Sequence, residues 1–428
     1  MSRLPALVGL CLTLLAALPA VAQDAATDDP PAAAAAPAAA AQPKAPPPPT
    51  PAQTALVQAW QTRARLDSSR ARLSHLVLQG NTLFVQSNRA DVEAIDAETG
   101  RSLWSVIVGN PLWPSVPVAA FGQHVAVANG SALYVLDRST GGVQWIKQLK
   151  GSPSTGPAIT ADRVYLPMLS GALEVYMLVP KTAVDRAPLI FFGHGAAEAP
   201  PLVSDSRLMW GTRSGNVYID ALTNSTNRVR FVAGGPVVGR LAHRSPRVFF
   251  TSLDGFVYAI DELHGGKIWE FSLGGPSRQP PVAIGDSLYT VSDAGGMWKL
   301  AAESGSQQWF APGVKQFLAA SATRVYAADL LGQMLVLDIA TGAQQGLYDT
   351  IALSTKYLNR DTDRVYLAGA NGYLSCFHEA GQSQPLSHAP AAKKPDAAPV
   401  KKKPAAAAAE PAEGAEAPAA KADDPFAK

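Results

Sequence analysis

The chain has 428 residues, 47% of them hydrophobic and 16% charged, with a formal net charge of +2 at pH 7. A charge this close to zero does not favour nucleic-acid binding, and two cysteines exclude a disulfide-rich scaffold. The composition indicates one folded region of several hundred residues flanked by low-complexity arms.

Residues 1–22 have the features of a secretory signal peptide. Arg3 precedes an apolar run that ends at residues 20–22, Ala-Val-Ala, a small-x-small cleavage pattern. Pro5 and Pro19 interrupt the run, which is short for a bilayer, so cleavage is favoured over the alternative of an uncleaved membrane anchor. We expect an exported protein that is periplasmic or associated with the outer membrane.

The two cysteines bear on anchoring and stability. Cys11 follows Leu10, where a lipoprotein signal needs a small residue, so we expect no lipid anchor. After cleavage Cys376 alone remains, so no intramolecular disulfide can form. Stability must come from packing.

The linker at residues 23–53 consists almost entirely of Ala and Pro and is predicted to be disordered, because it cannot bury enough apolar surface to offset the entropy of ordering. The tail at residues 387–428 is predicted to be disordered for the same reason. Its segment 391–407 places five lysines among Pro and Ala. A solubilising tail is the plainer interpretation, and weak attraction to anionic envelope polymers or lipids is the sharper one.

Residues 54–386 contain a repeat. An aspartate is followed four residues later by Gly and eight residues later by Trp, and the residues of this motif are Asp96, Gly100 and Trp104; Asp137, Gly141 and Trp145; and Asp261, Gly265 and Trp269. Two further units keep part of the motif, as Gly305 with Trp309 and Asp338 with Gly342. The Asp can accept N–H bonds from a turn, and the Gly supplies a positive φ.

An apolar triplet precedes each turn, usually by twelve residues. Its middle residues are Phe84, Ala126, Tyr165, Met209, Phe249, Tyr289, Tyr326 and Tyr366. Successive turns lie about forty residues apart, the period of a propeller blade. The sequence therefore predicts an all-β fold, an eight-bladed propeller of four-stranded antiparallel blades.

The eighth unit lacks its outer strand on the C-terminal side. Residues 55–65, with Trp60, read as an outer strand that has no inner strands of its own. We therefore expect the N-terminal strand to complete the last blade and to close the ring.

The third unit departs most from the repeat. Between residues 179 and 195 the turn Gly and the Trp are replaced by a charged loop and two phenylalanines. One interpretation is an irregular outer hairpin with both phenylalanines in the core. The other makes Lys181, Asp185 and Arg186 a partner-binding rim, since loops on a rigid scaffold often carry recognition residues.

The pattern L-Y-x-L-D-x-x-T-G-x-x-x-W, here residues 133–145, resembles the repeat of the pyrroloquinoline-quinone-type (PQQ-like) eight-bladed propellers. Within that superfamily the chain is most similar to the small non-enzymatic BamB-like proteins of outer-membrane assembly. The quinoprotein dehydrogenases of the same superfamily have longer insertions, an adjacent-cysteine disulfide and a calcium site, and no residues here match those features.

The resemblance implies a non-enzymatic, protein-binding scaffold, with a role in outer-membrane β-barrel protein assembly as its most specific form. We expect no catalytic, cofactor or metal residues, since the seven histidines lack ligand spacing. We also expect a monomeric propeller whose partners are proteins of the assembly machinery. A quinoprotein oxidoreductase using PQQ and an envelope structural protein joined to the cell wall through its arms remain the alternatives.

Overall fold

The computed structural model describes residues 56–67, 69–180, 182, 187–222 and 228–388. The signal peptide, the linker and the tail beyond His388 lie outside these ranges. So do the three residues of the predicted partner-binding rim, Lys181, Asp185 and Arg186.

The described residues form 32 strands arranged in eight antiparallel sheets of four strands each. The strands of the first half are Leu56–Arg63 (β1), Leu73–Gln79 (β2), Thr82–Ser87 (β3), Asp91–Asp96 (β4), Ser102–Ile107 (β5), Ala119–Phe121 (β6), His124–Asn129 (β7), Ala132–Asp137 (β8), Val143–Gln148 (β9), Ala158–Ile159 (β10), Arg163–Pro167 (β11), Ala172–Met177 (β12), Leu189–Phe192 (β13), Leu202–Val203 (β14), Arg207–Gly211 (β15) and Asn216–Ala221 (β16). The strands of the second half are Val229–Val232 (β17), Ala242–Arg244 (β18), Arg247–Thr251 (β19), Phe256–Asp261 (β20), Lys267–Ser272 (β21), Val282–Ile284 (β22), Ser287–Ser292 (β23), Gly296–Ala301 (β24), Gln307–Pro312 (β25), Val314–Ala320 (β26), Arg324–Asp329 (β27), Met334–Asp338 (β28), Gln344–Tyr348 (β29), Thr355–Lys356 (β30), Val365–Ala368 (β31) and Tyr373–Glu379 (β32).

Seven blades are consecutive four-strand meanders, from blade 1 (β2 to β5) to blade 7 (β26 to β29). Blade 8 has the order β30, β31, β32 and then β1. Strand β1 runs antiparallel to β32, with Trp60 opposite Cys376 and Val57 opposite His378. The eight-bladed fold and its closure by the N-terminal strand are thereby confirmed.

Burial explains the sequence pattern along each blade. The second strand is covered on both faces, so β3 is buried along its whole length and β19 is buried from Val248 to Thr251. In the outer strand β21 the Trp269 side chain is buried between exposed neighbours, the period-two pattern of a half-covered strand. The alternation therefore marks the position of a strand within its blade.

The core is divided among the interfaces between blades. Eight clusters of buried side chains occur among the described residues, and each joins side chains of two adjacent blades. One of them joins Trp60 and Tyr366 of blade 8 to Leu83 and Ile95 of blade 1. Each sheet thus covers its neighbour, and the last interface has the same construction as the others.

Strand direction divides the loops between two ends of the ring. In an antiparallel meander, the turn between the second and third strands lies at the same end as the link to the next blade. We call this the link end. The turns between the first and second strands, and between the third and fourth, lie at the opposite end, which we call the turn end.

Candidate protein-binding surface

The aspartates of the repeat organise the turns after the third strand of their blades. The Oδ1 atom of Asp261 accepts hydrogen bonds from the backbone N–H groups of Leu263 (3.0 Å) and His264 (2.8 Å). The His264 N–H group is the main cause of the lowered pKa of Asp261. Similar bonds surround Asp96, Asp137 and Asp338.

The repeat glycines serve a second purpose that spacing did not predict, because each receives a side chain from the preceding blade. Gly100 has φ +71°, and a Cβ atom built there would lie 2.6 Å from the ring of Trp60. The same clash pairs Gly141 with Trp104, Gly305 with Trp269, and Gly342 with Trp309. At Gly265 the opposing group is Val229.

Each repeat tryptophan also donates a hydrogen bond to the next blade. Its Nε1 atom reaches a carbonyl just beyond the third strand, and the pairs are Trp60 with Ala97 (3.0 Å), Trp104 with Arg138 (2.7 Å), Trp145 with Leu178 (3.0 Å), Trp269 with Ala302 (3.2 Å) and Trp309 with Ile339 (3.0 Å). Trp145 is only half-buried, because it faces the irregular third unit. The motif residues therefore join blades and leave recognition to other groups.

The outer strand of blade 3, β13, is unusually apolar. Its sequence is Leu-Ile-Phe-Phe, and the exposed fractions are 43% for Leu189, 40% for Ile190 and 70% for Phe192. The expectation that both phenylalanines are core residues is wrong for Phe192. Successive residues of a strand point to opposite faces, so only Phe191 reaches the interior, where it is 1% exposed.

An arginine from the next blade fixes this edge. Arg228 forms a salt bridge with the buried Asp220 (Nη2 to Oδ2, 2.7 Å) and donates a hydrogen bond to the carbonyl oxygen of Phe192. Its guanidinium also lies over the Tyr218 ring, 5.1 Å from the centroid. The Phe191 ring of the strand packs edge-on against the Trp210 ring of blade 4. The strand is thus held while Leu189, Ile190 and Phe192 face solvent.

One long edge of β13 pairs with β12, and within the described part of the chain no strand pairs with the other. Unpaired strand edges can accept a strand from another chain, and natural proteins usually protect them with charge or proline. The four residues of β13 contain neither. That lack of protection is the signal for an open edge that the stretch "LIFF" carries in the sequence.

The central channel holds a cavity of about 620 Å³ lined largely by the first strands of the blades. Arg240 and Arg360 line it together with Asp162 and Asp205. Burial lowers the pKa of the Arg360 guanidinium, and Asp361 lies 3.8 Å from its Nε atom. Among the described residues no cluster of three or more His, Cys, Asp or Glu side chains could hold a metal ion.

The described ranges contain no helix long and apolar enough to cross a bilayer. Cys376 is a free, buried thiol whose pKa is raised by burial. It lies in β32, opposite Trp60 of the closing strand β1. A buried thiol with a raised pKa has little of the thiolate form that makes a cysteine reactive.

Fold, repeat and inter-blade tryptophans together define an eight-bladed PQQ-like β-propeller. The family model described as outer membrane protein assembly factor BamB matches residues 57–236 and 228–400, and the chain belongs to this family. The resemblance seen in the repeat motif is confirmed.

Two relatives show how far the similarity extends. Serine/threonine-protein kinase AfsK of Streptomyces griseus is 30% identical over 246 residues, covering 54% of this chain and 29% of the kinase. Outer membrane protein assembly factor BamB of Xanthomonas campestris pv. campestris is 28% identical over 142 residues, covering 33% of this chain and 34% of that protein. The matched regions therefore span about a third of each relative.

Solved structures agree on the fold. The crystal structure of BamB from Moraxella catarrhalis has a TM-score of 0.62 at 17% identity and covers 76% of this chain and 97% of that one. The computationally designed Ika8 protein has a TM-score of 0.58 at 13% identity and covers 72% and 96%. At these identities the likeness concerns the fold alone.

Proposed function

We propose that the protein is an exported, non-enzymatic scaffold that binds other proteins during outer-membrane protein assembly. Membership of the BamB family supports this role, and the apolar, unpaired edge of β13 is the observation that carries it. The edge gives a docking protein both backbone hydrogen-bonding groups and apolar contacts.

Strand addition fits this edge better than helix docking. The strand is short, apolar and held by Arg228 against Asp220, so a partner strand meets a preformed template and little ordering entropy is lost. The exposed Ile190 and Phe192 side chains offer contacts beside the added strand. Lys181, Asp185 and Arg186 precede the same strand in sequence, and we include them as the charged part of the proposed site.

Site-specific photocrosslinking in the native envelope tests the proposal. A photoreactive residue at Phe192 should crosslink to a component of the outer-membrane assembly machinery, identified by mass spectrometry. The control position is Val232 in β17, the outer strand of blade 4, which is exposed to a similar degree (59% against 70%). Equal crosslinking from both positions would contradict a specific edge.

Charge insertion supplies a second measurement. Ile190→Lys should weaken co-purification of the assembly component at least tenfold, because a lysine on the edge opposes strand addition. Val232→Lys should leave it unchanged. Alanine at Lys181, Asp185 and Arg186 together should weaken capture as well, and full capture by that variant would remove these residues from the site.

The non-enzymatic part of the proposal has its own test. A quinoprotein would reduce an artificial electron-accepting dye in the presence of PQQ and would bind the quinone with its characteristic absorbance. We expect neither from the purified chain. Dye reduction dependent on PQQ would favour the oxidoreductase alternative.

A further inference from the structure

Three consecutive loops at the link end of blades 8, 1 and 2 form one continuous surface. The link 64–72 bonds to the hairpin 88–90 in both directions, through Asn88 N to Arg72 O (3.0 Å) and Arg72 N to Asn88 Oδ1 (2.9 Å). The Ala90 carbonyl oxygen of the hairpin accepts a hydrogen bond from the Val108 N–H group (2.9 Å), and Val108 begins the link 108–118. We call this surface the arginine–tryptophan surface.

The first two loops carry an excess of positive charge. Asp67 is the acidic residue of these loops. Asp91, at the start of β4, is half-buried, and the neighbouring Glu93 is buried and accepts a hydrogen bond from the Arg65 N–H group. The Arg70 side chain is 85% exposed, and its Nε atom lies 3.8 Å from Oδ2 of Asp67. The exposed basic residues of these loops are Arg65, Arg70, Arg72 and Arg89. Arg63, also exposed, ends β1 just before the link, and its guanidinium lies 5.5 Å from the centroid of the Tyr373 ring.

The third loop holds an apolar projection, Leu112 and Trp113, between Pro111 and Pro114. All four residues are exposed, Leu112 by 78% and Trp113 by 49%. Consecutive exposed apolar residues beside a fixed positive field are unusual on a soluble surface.

The projection is held by a buried side chain. Asn129 is fully buried and donates hydrogen bonds to the carbonyl oxygen of Trp113 (2.9 Å) and to Ser115 Oγ (3.0 Å), while its Oδ1 accepts from the Asn110 N–H group (2.8 Å). The Trp113 ring lies against Gly130, where a Cβ atom would be 2.7 Å away. The two apolar side chains are therefore displayed on a preformed loop.

We propose that the arginine–tryptophan surface binds the surface of a membrane containing anionic phospholipid. Arginines attract the phosphate-rich headgroup layer, and a tryptophan with a neighbouring leucine can enter the boundary between headgroups and acyl chains. The positive charge and the apolar tip lie on adjoining loops at one end of the ring, so both can meet a flat surface at once.

The shape of the surface favours a membrane over a protein groove. Leu112 and Trp113 project outward, and neither lines any of the three described cavities. The arginines are long, exposed and spread over two loops, which suits a diffuse polyanionic layer better than a fixed pocket. A fluid bilayer also requires no shape complementarity.

This inference is independent of the protein partner. The surface belongs to blades 8, 1 and 2, whereas β13 belongs to blade 3, so loss of one activity need not affect the other. The described part of the chain ends at the turn end, since the His388 N–H group bonds to the carbonyl oxygen of Asp361 in the turn between the first and second strands of blade 8.

Vesicle binding by the full chain tests the proposal. Vesicles of equal parts phosphatidylglycerol and phosphatidylcholine should bind the protein, and vesicles of phosphatidylcholine alone should bind it much less. With acyl-brominated phosphatidylcholine included, tryptophan emission should be quenched. Trp113→Phe should keep the binding and lose the quenching, because the apolar tip remains while the exposed reporter is gone.

Charge removal gives the quantitative arm. Arg65→Gln and Arg89→Gln should each weaken partition into anionic vesicles about fivefold, as expected for one cation near such a surface. Arg213→Gln, at the link end of blade 4, is the matched control and should have little effect. Rising salt should weaken the partition of the unaltered protein into anionic vesicles and reduce the difference between it and the arginine variants.

Three results would overturn the proposal. Equal partition of the Arg65→Gln, Arg89→Gln and Arg213→Gln variants would remove the arginines from the contact. Undiminished quenching in Trp113→Phe would show that another part of the chain enters the bilayer. Failure to bind either kind of vesicle would contradict membrane binding and would favour a protein with an acidic groove as the partner of this surface.

Discussion

Replacing Trp60 by alanine tests how the ring is closed. Trp60 is 8% exposed, its Nε1 donates to the carbonyl oxygen of Ala97 at 3.0 Å, and its ring lies against Gly100 and 6.2 Å from the ring of Tyr366. The substitution therefore removes packing at the interface between the last blade and the first, on the one strand contributed from the opposite end of the repeat region.

The expected cost follows from burial. A buried tryptophan removes about 150–250 Å² from water, or about 4–6 kcal/mol at about 25 cal/mol per Å² as an upper limit. Core truncations of this kind cost about 3–5 kcal/mol. Unfolding about 330 residues at about 2.1 cal/mol/K each gives roughly 0.7 kcal/mol/K, so the midpoint should fall by about 4–7 °C.

Thermal unfolding followed by circular dichroism measures the change. Val57→Ala in the same strand is the matched control, because Val57 is 43% exposed and should cost less than about 0.5 kcal/mol. A midpoint for Trp60→Ala equal to that of Val57→Ala would refute the closure argument. Deletion of residues 54–66 should go further and unfold the whole ring.

Three other predictions address the blades. Gly305→Ala should lower the free energy of unfolding, measured by urea denaturation, by at least about 1–2 kcal/mol, since Gly305 has φ +72° and opposes the Trp269 ring, whereas Gly266→Ala, in open space, should be tolerated. The Thr341 N–H group lowers the pKa of Asp338, so the ionised carboxylate stabilises the fold above about pH 4, and this stabilisation is lost as pH falls through the folded pKa. Asp338→Asn should therefore flatten the fall of the unfolding midpoint at acid pH. An unchanged fall in that variant would contradict the prediction. Cys376 should resist a thiol reagent in the native state and react on unfolding, and rapid native modification would place β1 elsewhere.

Much of the fold was predictable because its determinants are local and repeated. The turn aspartate and glycine act within five residues, and eight copies of one period specify the number of blades. The four repeat aspartates are the last residues of their strands, and they are Asp96, Asp137, Asp261 and Asp338. Even the closure was readable, since an outer strand without inner strands requires a partner elsewhere.

Other features depend on contacts between distant residues and left weaker traces. Arg364 is 1% exposed and joins blade 8 to Glu98 of blade 1 at 3.1 Å, while its Nη2 donates to the carbonyl oxygen of Ser383. Ser387, placed at the start of the tail by composition, bridges to Thr362. Composition reports the average character of a segment and does not report such single contacts.

The sequence by itself determined the strands, the turns, the number of blades and the closing strand, because spacing and turn chemistry act over a few residues and are repeated. The tertiary structure decided that Trp60, Trp104, Trp269 and Trp309 each cover a glycine of the next blade, that Phe192 faces solvent, and that Leu112 and Trp113 lie beside a group of exposed arginines. These features arise where separate blades meet, and the geometry of that meeting is set by packing around the whole ring.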